Sequence, residues 1–590
     1  MSVARQVGAT PRVLLALAAV AVAFAAADTY VVVLALPDLM MSVGIDVADL
    51  QRAAPIVSGF LLGYVGILPL TGRIADLRGR VPVLVGSLVV FAIGSVVTAA
   101  AYDLNSMVVG RFIQGIGGGG LVPATLALVA DLWPPHRRGI PLGVVGAVQE
   151  LGSVLGPLYG ALVLAMADWR AIFWINTAVG LVLAAALIGA GRARGSSAPP
   201  EERPRPDLIG LALVLLAVAA VGVLMREPRS LVTDIDYGRA FIPIVGDSRW
   251  LTPLALAAYG LLALFVVRQA TARRPIVDWR TWGDIRRQTD LIGALLLAGA
   301  LAGVILAFAS ADPQVQVFSP SGPYLLLGSA VCVVLFVWRQ RRAPMPLIPP
   351  GALAARPAWG AVVVSALVGA SLIAALVDIP LFARLTVYPD SQLDAALVLV
   401  RFLAALPVGA LLGGWLTHRY AAGPLAAVAM LVAAIGFGWM STWGASALDS
   451  PTATVPLVLT GLGFGAAIAP VNAALLASTE SAVHGLASAL LVVARMVGML
   501  VGISALTTIG LRRFYDVSED IPSTDVLCPA TPTDCELYED RLREAGLAQL
   551  EAVFIGAAIC AVVAAVAAVI TLRGAATRQV ATAETLGPAG

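Results

Sequence analysis

The chain contains no lysine, so all 38 of its basic Lys/Arg positions are arginine. This absence excludes a P-loop of the form GxxxxGK[ST], and with it nucleotide hydrolysis by this chain as an energy source. Charge of either sign is scarce: charged residues make up 13% of 590 positions against 59% hydrophobic ones, and the mean hydropathy is +0.90. Soluble globular domains carry about 25% charged residues, so a polytopic membrane protein is indicated. A formal net charge of +2 gives no electrostatic reason to expect nucleic acid as a partner. The three histidines, His136, His418 and His484, fall at expected helix ends, and no spacing suggests a metal site or another cofactor. No hydrolytic or redox constellation marks an enzyme.

Cysteine is scarce too. Cys332 and Cys560 lie in apolar runs, whereas Cys528 and Cys535 share the one long polar segment near the C-terminus. That pair is read either as a disulfide in an oxidising, extracytoplasmic loop or as two free, buried thiols.

What the chain has in abundance is apolar length. A helix needs about 20 apolar residues to cross the hydrocarbon core, and about sixteen such runs are present: six between 13 and 190, four between 207 and 339, and six between 358 and 572. Barrel strands would be half as long and alternate in polarity. The first run is too long for a signal-peptide core and is expected to remain as a helix. Arginines gather in alternate connections, among them Arg73, Arg78 and Arg80, then Arg137 and Arg138, then Arg339, Arg341 and Arg342, with Arg52 the main exception. The positive-inside rule then places both termini in the cytoplasm of a multi-pass protein of the inner (plasma) membrane.

One local repeat stands out. PDLIGLALVLLAVAAVGVL from Pro206 matches TDLIGALLLAGALAGVILA from Thr289, and each is followed by a second helix ending LFVVRQ (264–269) or LFVWRQ (335–340). This reads as a tandem-duplicated helical hairpin. Setting it aside leaves six helices before and six after, the arrangement of transporters built from internal repeats. The expected fold is all-α: a six-helix bundle over 1–191, a linker region with two hairpins over 192–357, and a second six-helix bundle over 358–590 with an extended extracytoplasmic loop at 512–546.

Several stretches carry recognisable patterns. GRIADLRGR (72–80) lies between the second and third helices; Gly72 and Gly79 permit tight turns and close approach, and Asp76 can cap a helix or pair with arginines such as Arg80. RFIQGIGGGGLVPA (111–124) puts Arg111 near the membrane boundary, above glycines that thin the fourth helix. In QELGSVLGPLYG (149–160), Gly152, Gly156 and Gly160 recur on one face and Pro157 adds a kink. These stretches resemble motifs A, B and C of the major facilitator superfamily, the last a signature of its exporters; motif A departs from the usual pattern at Leu77 and Val81. DWRAIFWIN (168–176) resembles the sixth-helix start of fourteen-helix drug/proton antiporters. The resemblance implies a proton-coupling or gating role for Arg111. A side chain that merely reaches back to the outer face is the alternative.

Ionisable groups inside a bilayer cost several kcal/mol and usually face a cavity with partners. Asp28, in AAADTYVVV, Glu150 and Arg495 lie at comparable depth in three helices, and Asp378 and Arg401 are secondary candidates. Desolvation raises a carboxyl pKa and a nearby guanidinium lowers it. Two acids and an arginine meeting between the halves would form a proton-coupled gate.

Read together, DTYVVV (28–33), QELGSVLGPLYG, ALPVGALLGGWLTHR (405–419) and HGLASALLVVARMVGMLVGISAL (484–506) resemble the mycobacterial triacylglyceride exporters that work with an LprG-type periplasmic lipoprotein. The resemblance implies a lipid substrate, extraction from the inner membrane, proton coupling through Asp28, Glu150 and Arg495, and hand-over to the lipoprotein. It departs in the middle, where that family has one linker hairpin and two are read here. A monomer is expected. The competing expectation is a multidrug/proton antiporter for amphipathic drugs; a non-transporting scaffold would leave motifs A and C without purpose.

Overall fold

The computed structural model describes residues 9–45, 50–195, 207–246, 248–272, 288–309, 321–388, 391–528 and 535–577; their regular structure is helical, with no strand among them. The first bundle comprises α1 (Ala9–Ser42), α2 (Leu50–Arg78), α3 (Arg80–Ala99), α4 (Leu104–Gly119), α5 (Leu121–Leu132), α6 (Gly139–Met166) and α7 (Trp169–Gly195), with α4 and α5 two halves of a single rod. The linker supplies α8 (Leu208–Arg226), α9 (Pro253–Thr271), α10 (Leu291–Ala309) and α11 (Gly322–Arg342). The second bundle is α12 (Arg356–Thr386), α13 (Gln392–Leu416), α14 (Ala422–Met440), α15 (Thr454–Ala477), α16 (His484–Ser518) and α17 (Glu536–Thr571).

Among the described residues, fourteen helical stretches are long and apolar enough to span a membrane. The first arm of each linker hairpin, α8 and α10, is a 19-residue apolar helix, as long as α9 and α14.

The two bundles pack by the same scheme. In the first, α1 lies on α6, α4 on α2 and α3, and α3 on α7; in the second, α12 lies on α16, α15 on α13 and α14, and α14 on α17. The halves then meet along two seams, α2 with α16 and α6 with α13. The same order of contacts thus recurs in both sets of helices. Small residues allow it: a Cβ on Gly115 would overlap the Phe60 carbonyl, and one on Gly117 would overlap the Phe91 backbone, so α4 can press directly on α2 and α3.

In the linker, α8 packs on α9 and α10 on α11. Asp207 caps α8 by accepting from the Gly210 N–H (3.1 Å) and from Arg268 (3.1 Å) at the end of α9. Asp290 does the same for α10, with the Gly293 N–H at 3.0 Å and Arg339 at 3.2 Å. The aspartate of each DLIG is thus latched to the arginine of the matching RQ. Their settings differ: Leu301 and Ile305 of α10 join the core of the first bundle beside α2 and α16, whereas the α8–α9 loop grips the α3–α4 turn, Arg249 lying 4.0 Å over the Tyr102 ring.

Helices α16 and α17, 35 and 36 residues long, would each reach roughly 50 Å, beyond the ~30 Å apolar core. Cys528 and Cys535, in the connection between them, are joined by a disulfide.

Candidate functional site

Asp28 and Arg111 form a closed network inside the first half. Arg111 Nη1 lies 2.7 Å from Asp28 Oδ2 and donates to Gln114 Oε1 at 2.6 Å. Gln114 Nε2 in turn donates to Asp28 Oδ1 (3.0 Å) and to Ser95 (3.0 Å), and Asn176 of α7 donates to Asp28 Oδ1. The two charged side chains are 0% and 1% exposed. Phe60 stacks over the guanidinium at 4.5 Å, and Phe173 lies at 5.9 Å. A buried charge is tolerated when it is paired and its remaining hydrogen-bonding positions are filled, and Asp28 meets both conditions. Arg111 therefore does not reach back to the outer face.

Glu150 and Arg495 stand in a different setting. They line a cavity of about 120 Å³ between the halves, together with Tyr64, Gln149, Ser153 and Asn472 among polar residues, in a wall otherwise mostly of Leu, Val and Met. Among the described residues no ion pair joins them, and Arg495 Nε is buried without a hydrogen-bond partner. Glu150 comes from the first half and Arg495 from the second, so their separation depends on how the halves sit. The expected three-residue cluster is thus corrected. Asp28 belongs to a separate network with Arg111, because α4 and α7, rather than α16, are its neighbours. Asp378 and Arg401 do not line this cavity; Arg401 donates to Thr454 Oγ1 at 3.3 Å.

Motif A joins the halves at one end. Asp76 accepts from the Gly485 and Leu486 N–H groups (2.8 and 3.0 Å), capping the first turn of α16, and pairs with Arg80 at 3.1 Å. Both roles open to Asp76 are filled at once, and the helix it caps belongs to the other half. Arg80 also donates to the Ser481 carbonyl (2.9 Å) and pairs with Asp131 (3.2 Å); Arg138 donates to the Leu476 carbonyl (3.0 Å). Gly72 faces Gly485 so closely that a Cβ on either would overlap the other's carbonyl oxygen. Gly79, at φ +90°, makes the turn from α2 to α3. In motif C, a Cβ on Gly152 would overlap the Ala23 carbonyl, seating α6 on α1; Gly156 and Gly160 are buried, and the Pro157 side chain lies outside the described residues.

Sequence reasoning gave no role to Gln114, Asn176, Ser95, Phe60 or Tyr64. The available signal was the lone amide in each of RFIQG and FWIN, since an uncharged polar group in an apolar helix also needs a partner.

Two repeated six-helix bundles, a motif A lock between them and buried charges at and beside their interface define a transporter of the major facilitator type. Residues 18–337 match the Major Facilitator Superfamily, and the chain belongs to it. It is 36% identical to a triacylglyceride transporter of Mycolicibacterium hassiacum over 505 residues, covering 84% of this chain and 78% of that one. It is 35% identical to one of Mycobacteroides abscessus over 532 residues (88% and 87%), and 34% identical to one of Mycobacterium tuberculosis over 521 residues (86% and 84%). The chain is thus a multi-pass membrane transporter of the same family as these relatives, and not an enzyme.

Proposed function

We propose that this protein is a proton-coupled exporter of triacylglyceride-like lipids, taking them from the inner membrane outward by rocking residues 1–191 against residues 358–590. The relatives' names support the lipid substrate, and the apolar wall of the inter-half cavity suits an apolar cargo. At about 120 Å³ the cavity is smaller than sites for drug-sized ligands, about 300–1,000 Å³, so cargo requires the halves to part. The motif A end is locked in this state, which corresponds to closure on the cytoplasmic side, with both termini in the cytoplasm and the 512–546 crown outside.

The observation that carries the reading is the unpaired facing of Glu150 and Arg495 across the seam. Protonated Glu150 needs no partner, whereas ionised Glu150 draws Arg495 toward it, so proton binding biases how the halves sit. Asp28, with Arg111, is the second protonation site, inside the first half. An LprG-type periplasmic lipoprotein is the expected acceptor of the exported lipid, met by a monomeric transporter. Lipid profiling of a deletion strain tests the proposal: triacylglyceride should accumulate in the inner membrane. Unchanged triacylglyceride distribution with raised drug uptake would instead identify a multidrug/proton antiporter.

A further inference from the structure

Asp28, Arg111 and Gln114 line neither the inter-half cavity nor the second cavity region beside it. A second cavity region shares Tyr64, Val122, Gln149, Ser153 and Met496 with the Glu150–Arg495 chamber, and extends it to Ala25, Ala26, Thr29 and Phe60. It thus reaches the residues flanking Asp28 in α1, yet neither Asp28, Arg111 nor Gln114 lines it. Phe60 lines the cavity on one side and covers the Arg111 guanidinium at 4.5 Å on the other. Its ring is stacked on Tyr64, one turn along α2, with centroids 5.9 Å apart. Tyr64 itself lines the same chamber as Arg495. Val31, Val32, Phe173 and Trp169 belong to a separate buried apolar cluster of the first half.

We propose that Phe60 is the gate through which protons pass between the inter-half cavity and the Asp28–Arg111 site, held shut by its stack on Tyr64. The groups facing Asp28 are Arg111 and Gln114 of α4, Asn176 of α7 and Tyr159 of α6, whose hydroxyl donates to the Ile172 carbonyl at 3.5 Å. None of them forms an exposed chain of hydroxyls or carboxylates leading out. Phe60 is 1% exposed and apolar, so a proton carrier passes only when the ring turns aside. A cation–π contact is worth about 0.5–2 kcal/mol, enough to bias the ring toward the closed position and small enough to be broken in a transport cycle. Because Tyr64 sits beside Arg495, a shift of Arg495 as the halves rock disturbs the stack and so opens the gate. The proposal rests on the reading that Asp28 binds protons during transport.

The test uses the full-length protein in nanodiscs at mildly acidic pH, treated with a water-soluble carbodiimide and methylamine, with modification of Asp28 and of Glu150 read by peptide mass spectrometry. Glu150, already in the cavity, is the internal reference. Phe60→Ala should raise Asp28 labelling relative to Glu150 several-fold, and Phe60→Leu and Tyr64→Leu should raise it less, in the same direction. Phe173→Ala removes the other ring near Arg111, which lies at 5.9 Å and lines neither cavity region, and should not raise it. An unchanged Asp28/Glu150 ratio in the Phe60 variants overturns the gate, as does an equal rise in Phe173→Ala, which would mean that the network had merely loosened. Should Phe60→Ala fold poorly, the Leu variants decide by the same ratio. Raised labelling combined with wild-type transport by Asp28→Asn would keep the gate and remove Asp28 from the coupling; unchanged labelling with transport lost in Asp28→Asn would do the reverse.

Discussion

Two buried charge sites lie close together in this molecule, and they are built in opposite ways. Asp28 and Arg111 sit in contact at 2.7 Å within one half, and Gln114 and Asn176 fill the remaining positions on the carboxylate. Glu150 and Arg495 face one cavity from different halves with no ion pair between them. The first site lies within one half, its carboxylate filled though Arg111 Nε and Asn176 Oδ1 have no hydrogen-bond partner; the second changes whenever the halves move. The first holds helices of one bundle together; under the proposed function, the second couples protonation to motion of the halves.

The largest effect should come from breaking the paired site. Arg111→Ala leaves Asp28 charged and unpaired in an apolar interior, a change that costs about 3–5 kcal/mol. A large fall in thermal unfolding temperature is expected in detergent. Arg495→Ala removes no formed pair and should stay within ~1 kcal/mol of wild type, although transport is lost. Equal destabilisation by the two substitutions would erase the distinction between the sites. Converting the closed site wholesale sharpens it: Asp28→Asn combined with Arg111→Met should recover much of the lost stability, since a buried ion pair exchanged for well-packed neutral groups is often neutral, while transport stays abolished.

A middle-sized effect is expected at the motif A lock, which belongs to both halves. Asp76→Ala removes the cap on α16, worth about 1–2 kcal/mol, and unlocks the end at which α2 meets α16. A cysteine at Ala489, fully buried in the locked state, should then label faster with maleimide. Unchanged labelling would mean that the glycine contact of Gly72 with Gly485 holds this end by itself.

The smallest effect should come from the linker latches, which touch neither charge site. The Gly210 N–H and then Arg268 hold the Asp207 carboxyl below the usual carboxylate range. A carboxyl with a depressed folded-state pKa contributes stability above its unfolded pKa, about 3.9, and loses it as pH falls through the folded value. Asp207→Asn should therefore lower stability slightly at neutral pH and leave it unchanged in strong acid. Unfolding curves at the two pH values check this. A greater loss in acid would contradict the assigned cause.

The same contrast explains what could be read before the structure was known. Asp28, Glu150 and Arg495 were legible because a charge in an apolar run is rare and expensive. Their grouping was not, because depth along a helix says nothing about which helices are neighbours; Asp28 turned toward α4 and α7 instead of α16. Gln114 and Asn176 escaped notice because an amide adds no charge to a motif. The repeat of DLIG and RQ was legible as sequence, and each pair proved to be one hydrogen-bonded latch.

The most direct measurement is lipid transport in proteoliposomes under an imposed pH gradient, comparing wild type with Glu150→Gln. The neutral amide keeps the shape of the side chain and cannot exchange a proton, so the variant should stay folded, keep its lipid affinity and lose all response to the gradient. Wild-type transport with an unaltered dependence on the gradient would contradict the assignment of coupling to the open site between the halves.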